Sequence, residues 1–189
     1  MDIKKKLREA LLKEEKKAQQ EYGCTMLFFK INKEKWEEIQ GIIKEEDLYV
    51  EENDSSFGRA KLSDVHCTVL FGTHLDVPNE DVYKIIEKFE EPDIKFKGIS
   101  SFSSDKKSFG VIKFDIESEK LTEYNKELKK LPYTSDFPKY HAHCTICYCK
   151  KDKVDEYVKK LKDFKITDKD FTIDKWVYSK QGDKKSFKI

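Results

Sequence analysis

His141-Ala142-His143-Cys144-Thr145-Ile146-Cys147 and its earlier counterpart, Val65-His66-Cys67-Thr68-Val69-Leu70, decide how this chain is read. Both contain His-Cys-Thr, and both lie in β-branched, apolar runs that predict buried strands. Successive side chains on a strand point to opposite faces, so His66 and Thr68 share one face while Cys67 and Val69 share the other. His143 and Thr145 repeat the arrangement. With four histidines and eight threonines in 189 residues, chance supplies about 0.2 His-x-Thr matches. Two occur, with the same middle residue.

Such a pair suits phosphate chemistry. Neutral imidazole accepts a proton, imidazolium delivers one, and a threonine hydroxyl donates to a phosphoryl oxygen. The competing reading of each histidine alone is a packed or surface residue. The duplication favours function for His66, Thr68, His143 and Thr145.

Working outward, the elements recur in one order. Cys24 to Ile31 predicts a strand, and Asn32 an N-cap for a helix over 33–45 carrying Trp36, Ile39 and Ile43. A polar stretch over 46–64 precedes the first motif strand, Val65 to Phe71. A helix near 79–90 and an alternating strand from Asp93 to Phe102 follow. The second half repeats this with a strand over Ser108–Ile116, a helix over 118–131, the motif strand Ala142–Cys149, a helix over 152–163 and a strand over Phe171–Tyr178. The histidines are 143 − 66 = 77 residues apart and the opening strands 108 − 24 = 84, which supports an internal duplication. The expected architecture is α+β: two pseudo-symmetric lobes, about 22–103 and 108–178, with antiparallel sheets around a central cleft, helices outside and a C-terminal tail strand. Residues 1–21 form a separate charged helix, with Ile3, Leu7 and Leu11 on one side.

Charged residues make up 40% of the chain, but Lys+Arg 38 nearly cancels Asp+Glu 37. That balance argues against duplex DNA or another long polyanion as partner. No run approaches the roughly 20 apolar residues of a membrane span, and the N-terminus lacks an apolar signal core. Five cysteines without scaffold spacing read as reduced thiols of a cytoplasmic protein, with Cys67 and Cys144 as core thiols. A zinc reading of His141, His143, Cys147 and Cys149 puts all four on one strand face, but that row extends roughly 26 Å, too far for one tetrahedral ion. No metal or cofactor is expected. Tyr140, His141 and Tyr148 are secondary substrate-binding candidates, as are Ser104 and Lys106 in a polar turn; their plainer readings are packing, rim and connection. His74 reads as a solvated turn residue.

His66-Cys67-Thr68-Val69 and His143-Cys144-Thr145-Ile146 resemble the paired motifs of the two-histidine phosphoesterase superfamily, over about 22–178. Within it, Leu62 to Phe71 and the passage from Phe114–Ser118 towards Asp136–Tyr140 are most similar to phage anti-CBASS enzymes. The resemblance implies a metal-free phosphodiesterase acting on a small nucleotide, foremost a cyclic oligonucleotide messenger. The alternatives are RNA 2′,3′-cyclic phosphates, 2′,5′-oligoadenylate, or a sponge that binds without turnover. A monomer is expected.

Overall fold

The computed structural model describes residues 22–51, 57–135, 139–181 and 183–188. The expected helix over 1–21 lies outside them. Seven strands form one antiparallel sheet in the order β3-β4-β5-β2-β1-β6-β7. They are β1 (Tyr22–Ile31), β2 (His66–His74), β3 (Lys95–Ser103), β4 (Phe109–Glu117), β5 (His143–Lys150), β6 (Phe171–Lys180) and β7 (Asp183–Lys188). Among the described residues there are four α-helices, α1 (Lys33–Ile42), α2 (Asn79–Ile86), α3 (Glu119–Leu128) and α4 (Val154–Leu161). None is long and apolar enough to cross a membrane.

Local chemistry sets the helix ends. The Asn32 side chain accepts from Lys35 N and the Ser118 hydroxyl from Leu121 N, satisfying donors left open at each first turn. Helix α1 stops before the expected 45. There the Arg59 guanidinium donates to the carbonyls of Gln40 and Ile43, a cation placed where a helix end is negative.

The two lobes join edge to edge. Strands β2 and β5 are bonded side by side at Cys67↔Cys144 and splay on either side of it. Chain fills each opening: Tyr49 N and Ala60 N donate to the carbonyls of Tyr148 and Ile146, while His74 N donates to Pro132 O and Thr134 N to Gly72 O. The lobes are also not consecutive pieces of chain. Strand β3 pairs with β4, and β6 with β1, so each half's closing strand lies beside the other half's opening strand. A short β3–β4 hairpin needs no crossover, which is the simpler way to join antiparallel neighbours. The Ser104–Lys107 turn is therefore a hairpin end, not a link between lobes.

One sheet face carries the core. Leu27, Cys67, Phe114, Cys144 and Ile146 pack there against Trp36 and Ile39 of α1, Val82 and Ile86 of α2, Leu121 and Leu128 of α3, and Tyr157 and Leu161 of α4. Cys67 and Cys144 are fully buried core thiols, as expected. The opposite face holds a small apolar cluster of Met26, Phe28 and Val177 beside the motif strands.

Candidate active site

Both motif strands break their alternation at the same place. Met26 pairs with Thr68 but Thr25 with Leu70, leaving Val69 as an extra residue. Lys113 pairs with Thr145 but Ile112 with Cys147, leaving Ile146 extra. These are β-bulges one residue after each motif threonine, a device common beside functional sites. A buried side-chain amide holds each bulge carbonyl: Asn125 of α3 at Val69, Gln40 of α1 at Ile146.

The bulge corrects the zinc reading. Past Ile146 the alternation is reset, so Tyr148 shares the face of His143 and Thr145 while buried Cys147 and Cys149 turn to the core. These four residues do not share a face. No group of three or more His, Cys, Asp or Glu able to hold a metal occurs among the described residues.

His66, Thr68, His143 and Thr145 stand together on the face opposite the helices. The Cys67↔Cys144 pairing sets His66 across from Thr145 and Thr68 across from His143. The two histidines are diagonal neighbours, with Cα atoms about 7–8 Å apart by sheet geometry. Their rings are fixed identically: Nδ1 of His66 lies 2.7 Å from Asp64 O, and Nδ1 of His143 lies 2.7 Å from His141 O. A carbonyl only accepts, so Nδ1 carries the hydrogen and each Nε2 is left to exchange a proton.

The surroundings differ. Phe28 stacks on His66 with centroids 5.2 Å apart, next to Met26 and Val177. His143 meets the half-exposed Phe102 edge-on at 4.9 Å. On its side β4 contributes Lys113, opposite Thr145, and Asp115, opposite His143. The Lys113 ammonium is buried, donates to Ser100 Oγ at 2.7 Å and to Asp115 Oδ1, and lies 4.3 Å from the Phe102 centroid. Burial holds the His143 imidazolium below the usual range; Lys113 and His66 depress it further, against the His141 carbonyl and Asp115. Burial pushes the Cys67 thiol up to about 11 and raises that of Cys144 well above the ordinary value.

The secondary candidates scatter. The Tyr140 hydroxyl sits 3.6 Å from Cys67 Sγ, on the core side. His141 is exposed at the rim, where with Asp115, Ser118, Lys126 and Tyr140 it lines a groove of about 680 Å³. Tyr148 faces the cleft within an aromatic group of Phe57 and Phe109. Ser104 and Lys106 are exposed in the β3–β4 turn, two or more residues beyond Phe102. His74 ends β2 rather than lying in a turn, and its Nε2 is 2.8 Å from Thr134 Oγ1. Lys113, Asp115, Ser100, Phe102 and Phe28 were absent from the candidates read from sequence. The available signal was the polar, outward set Lys113 and Asp115 between Ile112, Phe114 and Ile116.

A family described as "Anti-CBASS protein Acb1" matches residues 30–172. Among solved structures, Kluyveromyces marxianus Usb1 is similar, with TM-score 0.58 at 8% identity over 90% of this chain and 99% of that one. The same protein with uridine monophosphate gives TM-score 0.54 at 9% identity, covering 90% and 100%. No curated protein sequence matches the chain.

Proposed function

Because the chain belongs to the anti-CBASS protein Acb1 family and has a two-histidine phosphoesterase fold, we propose that it is a nucleotide phosphodiesterase whose acid–base pair is His66 and His143. The observation that carries this reading is the mirrored pair of Nδ1-to-carbonyl bonds, each leaving the Nε2 to exchange a proton. One imidazole takes a proton from water or a ribose hydroxyl while the other protonates the departing oxygen, each transfer contributing roughly 10²–10⁴-fold. Thr68 and Thr145 donate to the non-bridging oxygens and hold the phosphorus in line. No step calls for a metal.

The favoured substrate is a cyclic oligonucleotide messenger, in keeping with the family's anti-CBASS description. A short RNA end is the second reading, favoured by the uridine monophosphate held by the similar Usb1. Incubation with cyclic di- and trinucleotides, 2′,5′-oligoadenylate and 2′,3′-cyclic-ended RNA in chelator, with products read by mass, separates them. Linear products from the cyclic set alone are expected. Binding without product, unchanged on replacing both histidines by alanine, identifies a sponge.

A further inference from the structure

The duplication places Met26 and Lys113 at equivalent positions: each lies on the strand flanking a motif strand, directly opposite the motif threonine, and next to the bulge. One is a thioether in an apolar cluster and the other a buried ammonium. A buried charge is costly unless held, and Lys113 is held three ways, by Asp115, by Ser100 and by the face of Phe102. That same Phe102 touches the edge of His143, and that same Asp115 lies directly across from it. On the His66 side the corresponding cation is Lys175, 5.7 Å from the Phe28 centroid and 3.9 Å from Asp174, but it is half-exposed to water, whereas Lys113 is buried.

We propose that Lys113 is a positioning residue that sets the charge balance around His143 and so makes a duplicated site work in one direction only. The step rests on the reading of His143 as one of the acid–base pair. Its side chain is walled off by Phe102, Ser100 and Asp115, so it acts through the field it exerts on the imidazole rather than by touching substrate. The charged and titratable groups facing His143 are Lys113 and Asp115 from β4 and His66 from β2, with the His141 carbonyl on its own segment; β3 contributes only the uncharged Phe102. Lys113 opposes a proton on His143 and Asp115 favours one, in agreement with the direction in which each displaces its titration. His66 faces Asp64, 3.9 Å from its Nδ1, and beyond Phe28 the half-exposed Lys175 and its partner Asp174, a pair screened by water as the buried Lys113 is not. The two imidazoles are thereby made unequal, which a substrate with distinct attacking and leaving oxygens requires.

The test is the titration of labelled histidine by NMR in the full chain, which needs no substrate. Lys113→Met installs the residue of the equivalent position; it leaves Asp115 unpaired, but that carboxylate is half-exposed, so water takes over its solvation and the charge is not stranded in the core. Asp115→Asn removes the opposing charge at a half-exposed position. We expect the His143 midpoint to move up by about half a pH unit or more in Lys113→Met and down in Asp115→Asn. Where a hydrolysed substrate is in hand, the limb of the rate profile assigned to His143 moves in the same directions, and Lys113→Met lowers kcat roughly 10- to 100-fold with little change in KM. Midpoints that stay put, or that move the same way in both variants, overturn the proposal. Absence of any hydrolysed nucleotide overturns the proposed function instead, and leaves the titration to decide this one.

Discussion

Asn125 donates its side-chain amide to the carbonyl of Val69 at 2.6 Å. Gln40 makes the same bond to Ile146 at 2.8 Å. A bulge frees a carbonyl from the sheet, and a buried carbonyl without a donor is expensive, so each half borrows an amide from the other half's helix. The strands that carry the histidines are thus pinned crosswise.

Replacing Asn125 by leucine strands the buried Val69 carbonyl and is expected to cost about 1–3 kcal/mol of stability; Gln40→Leu is expected to cost less, because Ala60 N still donates to Ile146 O. Urea unfolding measures it. The two losses should add when combined, because the sites share no partner. A coupling of more than about 1 kcal/mol would show that the bulges are not held independently.

At Gly72 the chain takes φ +111°, and a Cβ there would lie 1.8 Å from the Thr134 carbonyl oxygen. Gly72→Ala is expected to destabilise by about 2–4 kcal/mol through the left-handed backbone and the displaced 132–134 segment. Thr134 N donates to Gly72 O, so amide exchange at Thr134 should accelerate first. Protection at Thr134 equal to that of the unaltered chain would contradict this account.

Much of this architecture is legible in the residues. The period-2 runs identify the motif strands, Asn32 and Ser118 announce their helices, and the repeated His-Cys-Thr exposes the duplication. The bulges are not legible, because Val69 and Ile146 are ordinary strand residues and nothing local marks them as extra. That is why Cys147 and Cys149 were expected on the histidine face. The exchange of β3 and β6 between lobes depends on pairing across the whole chain, which no local pattern encodes. Lys113 is invisible for a related reason: a lysine in an alternating strand reads as solvated until Phe102 and Ser100 are brought over it.

Cys67 and Cys144 are fully buried, with burial raising both thiols. The thiolate is the reactive form, so native protein at pH 8 should leave both unmodified by iodoacetamide for as long as the fold persists. Peptide mass mapping after brief labelling checks this. Rapid alkylation of either would mean that the β2–β5 junction opens, and with it the spacing of the two histidines.

The His143 imidazole is held below its ordinary value of 6.5, chiefly by burial. In the unfolded chain that restraint is gone, so below about pH 6.5 the unfolded state binds the proton more readily. Stability must then fall as pH drops from 6.5 towards the depressed folded value, and be indifferent to this group above 6.5. Carboxylates add their own acid sensitivity, but it is common to the unaltered chain and to His143→Asn. The difference between them isolates the imidazole: the drop in urea midpoint from pH 7.5 to pH 5 should be smaller in His143→Asn. An equal drop in both would place the ring in water rather than against Phe102, and would remove the ground for treating this histidine as one held neutral by its surroundings.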